Sequence, residues 1–305
     1  MMDSIYFRQA ELVLRVLPLV DREAAFALKG GTAINFFVLD FPRLSVDIDL
    51  VYLPVAEREA SLRELSAALV RIAHEVETRI PGAKITPKRL KGADLWSGCS
   101  VRRGEATIKI EPNLVMRGSL FPPERRILTP KARSAFELSV ECRTLAEPEL
   151  YAGKFCAALD RQHPRDLFDV LLFFRQEILD DTLRKAFIVY LICNDRPLVE
   201  LLNPGLIDTR PVFETEFRDM AFVAVTCEEL EEARKTLIAR IAQDLTLAER
   251  QFLLSVKEGK PQWDLLGLEG VQNLPAVQWK LLNIGRMAPA KQRQAVQKLR
   301  DYLGV

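Results

Sequence analysis

The stretch Lys29-Gly30-Gly31-Thr32-Ala33-Ile34-Asn35, with Arg43-Leu44-Ser45-Val46-Asp47-Ile48-Asp49-Leu50 after it, decides how the rest of the chain is read. Residues 25–28 before it form a short apolar run of strand type, which Gly30-Gly31 breaks. Thr32 is placed to N-cap a helix over residues 33–39. After Pro42 the chain alternates, so that Ile48 and Leu50 point one way and Asp47 and Asp49 the other. Two carboxylates on one strand face, next to a Gly-Gly turn, match the needs of a hard divalent cation, which takes carboxylate oxygens together with substrate phosphates. The amides of the turn and of the following helix start suit a phosphate group. The pattern therefore predicts a triphosphate and Mg²⁺ (or Mn²⁺) held between the turn and the two aspartates.

The composition sets bounds on this expectation. A chain of 305 residues, 49% hydrophobic and 28% charged, can bury a sizeable core and is long enough for two domains. The formal net charge of +1 gives no global attraction for nucleic acid, so any such binding has to rest on local patches. Cys99, Cys142, Cys156, Cys193 and Cys227 are odd in number and widely spaced; they form neither a disulfide framework nor a Cys-x-x-Cys metal site and read as thiols of a reducing cytoplasm. Only His74 and His163 are available, which leaves a histidine metal centre or a histidine-driven triad hard to assemble; His163 beside Pro164 is expected on a surface loop. No basic-then-apolar leader is visible at Met1-Met2-Asp3-Ser4, and the densest apolar run, residues 186–193, is too short to span a bilayer. A cytoplasmic protein without a membrane partner is expected.

Outward from the central stretch, Phe7, Ala10, Leu14 and Leu17 predict a first amphipathic helix stopped near Pro18. Ser61-x-x-Glu64 predicts a capping box for a helix carrying the stripe Leu62, Leu65, Leu69, Ile72 and Val76. Residues 99–103 and 106–111 read as a hairpin turned at Gly104-Glu105, with Ile108 and Ile110 toward the core and Lys109 and Glu111 on the other side. Glu111 is thus a candidate carboxylate on the polar face of its strand, although Lys-x-Glu is also a common solvated strand face. Residues 112–148, rich in Pro and Arg, are expected to be an irregular connection. Helices are expected over residues 149–159, 165–174, 181–194, 214–243, 246–257 (with Thr246-x-x-Glu249 as a capping box), 277–284 and 289–303. A second block carries charged groups at helical spacing: Lys154 and Arg161 on one helix face, then Arg165-Asp166-x-x-Asp169 opening the next helix. An interhelical salt-bridge network is the plain alternative for this block.

Gly-Gly followed by Asp-x-Asp on the next strand resembles the signature of the DNA polymerase β-like nucleotidyltransferase superfamily. The fuller form here, Gly30-Gly31-Thr32-Ala33 with Arg43-x-Ser45-x-Asp47-Ile48-Asp49-Leu50, is similar to the AbiEii-type toxins of bacterial abortive-infection and toxin–antitoxin systems, which include the MenT-type toxins. The block from Lys154 through Arg161 to Arg165-Asp166-x-x-Asp169 resembles the family's other hallmark in order and distance. The resemblance implies an α+β fold: a polymerase β-like domain with a mixed sheet flanked by helices over residues 1–147, and an all-helical domain closing the active-site cleft over residues 148–305. It implies metal on Asp47, Asp49 and Glu111, where many relatives carry Asp at the third position. It further implies catalytic roles for these three and for Lys154, Asp166 and Asp169, and nucleotide contacts from Gly30, Gly31, Thr32, Ser45, Lys154, Arg161 and Arg165.

The function implied is transfer of a nucleoside monophosphate from an NTP to a macromolecular acceptor, a tRNA 3′ end or other RNA or a protein, with a cognate antitoxin acting with or without direct contact. Two other classes share these residues: a nucleotide-binding regulator without turnover, and a small-molecule (antibiotic) nucleotidyltransferase. Three basic groups are candidates to guide RNA: Lys84, Lys88, Arg89 and Lys91; Arg125 and Arg126; and the C-terminal Lys280, Arg286, Lys291, Arg293, Lys298 and Arg300.

Overall fold

The computed structural model describes residues 4–305 and divides into two compact units. The first comprises the chain up to Leu150 together with Glu216–Ala224; the second comprises Tyr151–Thr215 and Val225–Val305. In the first unit the elements run α1 (Ile5–Val20), β1 (Phe26–Lys29), α2 (Gly30–Ala33), a π-helical turn (Ile34–Val38), β2 (Asp47–Tyr52), α3 (Arg58–Arg79), β3 (Lys84–Arg89), β4 (Trp96–Arg103), β5 (Ala106–Asn113), β6 (Glu124–Ile127), α4 (Pro130–Phe136) and β7 (Glu141–Thr144). The seven strands form one mixed sheet in the order β3-β4-β5-β2-β1-β7-β6. β2 runs parallel to β5 and β1 parallel to β7, while the other pairs are antiparallel.

The alternation read from the sequence is what orients this sheet. Ile48, Leu50, Ile108 and Ile110 are all buried, and α1 and α3 pack on the sheet and on each other. Full burial of each such side chain contributes about 1.5–3 kcal/mol, so a one-residue slip of β2, which would turn Asp47 and Asp49 inward, is strongly disfavoured. The predicted hairpin is present, with Arg103 opposite Ala106 and Gly104 at φ +57 in its turn.

Several boundaries differ from the sequence expectation for physical reasons. α1 continues through Pro18 to Val20, because Leu17, Leu19 and Val20 are buried and their burial outweighs the one hydrogen bond that proline removes. α3 starts before Ser61, whose hydroxyl donates to the Ala56 carbonyl from inside the helix rather than capping it. Residues 112–148 are not an irregular connection: they contain β6, α4 and β7, and Pro130 is the first residue of a helix rather than a loop signal. The expected helix over residues 214–243 is broken. Residues 220–222 instead meet the chain just ahead of β2, with Leu44 N–H donating to the Met220 carbonyl at 2.8 Å and Phe222 N–H to the Pro42 carbonyl at 2.8 Å. The Phe222 ring lies 4.7 Å from that of Phe41, which explains why Glu216–Ala224 belongs to the first unit.

The second unit is helical. α5 (Glu147–Arg161) leads into it and is followed by α6 (Pro164–Gln176), α7 (Asp181–Cys193), α8 (Leu198–Leu202), the single turn α9 (Arg210–Val212), α10 (Cys227–Asp244), α11 (Leu247–Lys257), α12 (Pro275–Gly285) and α13 (Pro289–Leu303). Phe155, Phe173, Phe174 and Phe187 stack at its centre. The capping box predicted at Thr246 and Glu249 forms in full. The same Glu249 carboxylate accepts from buried Arg184 at 2.8 Å, tying α7 to α11. No helix among the described residues is long and apolar enough to cross a membrane.

Candidate active site

The Gly-Gly turn is shaped by what lies under each glycine. Gly30 has φ +71, and a β-carbon built there would collide with the Asp49 carboxylate. A β-carbon on Gly31 would lie 2.8 Å from Arg43 Nη2 and 3.1 Å from Ser45 Oγ. Each glycine therefore makes room for a residue of the following motif, which gives the joint pattern of Gly-Gly with Arg-x-Ser-x-Asp-x-Asp a steric reason. Thr32 lies within α2 rather than capping it; the cap is Lys29. Thr32 Oγ1 donates to the Asp47 carbonyl at 2.5 Å and lies 2.9 Å from Ser45 Oγ. Both hydroxyls are buried, so Thr32 and Ser45 act beneath the turn, pinning it to the start of β2.

The strand register then builds the charged face. Asp49 is opposite Glu111 across the parallel β2–β5 pair, and Asp47 is opposite Lys109. Directly opposed residues share a sheet face, so the three carboxylates and Lys109 lie together. Lys29 is opposite Asp49 on the other side, placing a cation beyond it. Continuing the β5 row outward, Gly98 of β4 lies beside Glu111, and Lys88 of β3 is opposite Gly98. Lys88 Nζ reaches across to donate to Glu111 Oε1 at 2.8 Å. Asp47, Asp49 and Glu111 are half-buried, open enough to meet a ligand and confined enough to be aimed.

The all-oxygen donor set beside the Gly30 cradle fits a hard divalent cation. Among the described residues no three acidic, cysteine or histidine groups converge as a ready-made cage, and Glu111 is turned toward Lys88.

Within the second unit, Lys154, Arg161, Asp166 and Asp169 form one charged cluster. Lys154, buried, lies 2.7 Å from Asp166 and 2.8 Å from Asp169. Arg161 donates to both oxygens of Asp166, at 2.5 and 3.0 Å. Burial alone would raise the Asp166 pKa, but the Lys154 and Arg161 charges outweigh it and hold the carboxyl well below the usual range. The geometry is that of the buried salt-bridge network that the sequence left as an alternative. Arg165 N–H donates to His163 Nδ1 at 3.1 Å, so His163 is the N-cap of α6 and not loop surface.

A family model, nucleotidyl transferase AbiEii toxin of type IV toxin–antitoxin systems, matches residues 12–281. The chain belongs to the AbiEii nucleotidyltransferase toxin family. Among solved structures, MenT4, a nucleotidyltransferase toxin from Mycobacterium tuberculosis, aligns over 92% of each chain with a TM-score of 0.58 at 16% identity, a likeness of fold. No curated protein matches the chain significantly in sequence. Membership of the AbiEii family makes the chain a toxin-type nucleotidyltransferase, acting on a nucleoside triphosphate and paired with an antitoxin.

At this AbiEii-family site the structure gives Arg43 and Lys88 roles that the sequence did not. Arg43, buried under Gly31, belongs to its architecture. Lys88 was grouped with surface cations, and only the strand register brings it to Glu111. Arg125 and Arg126 are already paired, the first with Asp21 and Glu141 and the second with Glu124 and Glu147. Arg89 is likewise paired with Asp94. These three cations, candidates to guide RNA, thus each have acidic partners. Of the five cysteines none is in a disulfide, and burial pushes the Cys99 thiol up to about 12, leaving it un-ionised at neutral pH.

Proposed function

We propose that the face carrying Asp47, Asp49 and Glu111 transfers a nucleoside monophosphate from an NTP to a hydroxyl of an RNA acceptor in a reaction dependent on Mg²⁺ or Mn²⁺. The observation that supports this most is the register that sets Asp49 opposite Glu111, with Asp47 on the same face, beside a turn in which Gly30 has no side chain because Asp49 fills that space. A divalent ion bound there would neutralise charge on the phosphates and favour the ionised acceptor hydroxyl. Asp47 and Asp49 would hold that ion beside the Gly30-Gly31 turn, whose main-chain amides suit a phosphate. Lys29, Lys88 and Lys109 supply cations on the same face for the negative charge that develops. The hydroxyl oxygen forms the new bond to the α-phosphorus, the bond to the β-phosphate oxygen breaks, pyrophosphate leaves, and the hydroxyl proton passes to a carboxylate or to water.

An RNA acceptor suits the exposed cations of α13, namely Lys291, Arg293 and Lys298, which have no acidic residue among them and are followed by Asp301. Incubation with each α-labelled NTP and total RNA, with and without Mg²⁺, tests the proposal. Label entering RNA only with the metal supports it. Label entering protein or a small molecule instead moves the acceptor to another class, and no transfer to any acceptor favours a nucleotide-binding regulator.

A further inference from the structure

Lys88 occupies an unusual place for a surface lysine. It sits on β3, two strands away from Glu111, across a gap of roughly 10 Å of sheet. Its stem crosses β4 at Gly98, the one position in that row without a side chain. A β-carbon on Gly98 would lie 2.8 Å from the Ile110 carbonyl oxygen and 3.8 Å from Glu111 Cγ, so close strand packing requires glycine there, and the same glycine leaves the path open. The register of β3 against β4 slips between Lys88 and Arg89. Bulges of this kind re-aim side chains. Beyond the slip, Arg89 goes to Asp94, while Lys88 goes to Glu111.

We propose that Lys88 is a positioning residue that changes partner during binding: it holds Glu111 until a divalent cation takes that carboxylate, and its ammonium then passes to the polyphosphate of the bound nucleotide. This rests on the metal reading of Asp47, Asp49 and Glu111 given above. Without a cation the three carboxylates repel one another, and the Lys88–Glu111 bond at 2.8 Å relieves part of that repulsion. A cation on Glu111 removes the reason for the pair. The Lys88 side chain is 65% exposed and carries its charge on a flexible stem, so it can swing within the same face. A polyphosphate arriving with the cation offers it a denser anionic partner than one carboxylate.

The two halves of this exchange make opposite demands, and the test uses that. Mn²⁺ binding by the full-length protein is followed by electron paramagnetic resonance, alone and then with inorganic tripolyphosphate, for wild type, Lys88→Met, Lys88→Arg and Asp49→Asn. Lys88→Met should bind Mn²⁺ alone roughly three- to fivefold more tightly, because a competing ion pair is gone. The same variant should bind tripolyphosphate in the presence of Mn²⁺ about tenfold more weakly, because a charge-assisted hydrogen bond is lost. Lys88→Arg should return both affinities toward wild type. Any other pattern in Lys88→Met, with both affinities moving the same way or either unmoved, overturns the exchange while leaving the metal site intact. Wild-type protein whose Mn²⁺ binding is absent or unaffected by Asp49→Asn overturns the metal reading itself.

Discussion

The carboxylate of Asp49 fills the space in which a side chain on Gly30 would stand. Because Gly30 also has φ +71, two costs coincide at this position: a left-handed backbone that L side chains adopt poorly, and a collision with a proposed metal ligand. Gly30→Ala should therefore lose stability by about 1–2 kcal/mol and lose transfer activity out of proportion to that loss. Urea denaturation and labelled-NTP transfer on the same preparation check this. Activity that falls only in step with the unfolded fraction would mean that the contact with Asp49 does not matter to the chemistry.

Lys154 is the second position where a single substitution should have a large effect. Its ammonium pairs with Asp166 and Asp169, both fully buried, so Lys154→Ala removes the buried cation that both carboxylates face. Breaking a buried pair in this way costs about 3–5 kcal/mol. By contrast, Arg63→Ala, which breaks the exposed pair with Glu59, should cost no more than about 0.5 kcal/mol. Equal denaturation midpoints for the two variants would contradict the structural role assigned to the Lys154 cluster.

The same cluster predicts a pH dependence. The folded-state pKa of Asp166 is depressed below its ordinary 3.8, so its ionised form contributes stability that is fully present above that value and is lost as pH falls through the folded-state value. The difference in unfolding free energy between wild type and Asp166→Asn should be constant from neutral pH down to weak acid and shrink once the pH drops below 3.8. Denaturant titrations across that range measure it. A gap that widens on acidification would reverse the sign and remove the assigned pairing.

The extent to which the sequence disclosed this site follows from the range over which its forces act. Period-two alternation in residues 46–52 and 106–111 is a local signal with a large hydrophobic term behind it, so the strands and their faces could be read directly. The grouping of Glu111 with Asp47 and Asp49 was implied only by the family resemblance, because the pairing of β5 with β2 is non-local. The link between Gly30-Gly31 and Arg43, Ser45 and Asp49 is steric and spans a turn, so the motif was visible but its cause was not. Lys88 joins Glu111 only through a three-strand register with a slip in it, and no local pattern encodes that. The strands β6 and β7 were missed because each is four residues long and largely polar, while the pairing of residues 220–222 with the chain before β2 is a contact between distant parts of the sequence.

RNA affinity should depend on salt through the exposed cations of α13 and little on Arg125 and Arg126, whose charges are offset by neighbouring acids. Reversing Lys291, Arg293 and Lys298 to glutamate should weaken tRNA binding and flatten its salt dependence, while reversing Arg125 and Arg126 should not. Filter binding over a range of salt concentrations measures both. An unchanged slope in the first variant would leave these groups as ordinary surface.

The central claim is that Asp49 holds a divalent ion for nucleotidyl transfer, and the most direct measurement is metal-dependent transfer by Asp49→Asn, a substitution that keeps the shape of the side chain beside Gly30. Removing one metal carboxylate should reduce transfer at saturating NTP by about a thousandfold or more, corresponding to several kcal/mol of transition-state stabilisation, with circular dichroism and denaturation midpoint unchanged. A folded Asp49→Asn protein that transfers label at the wild-type rate, with the wild-type Mg²⁺ dependence, would contradict the account.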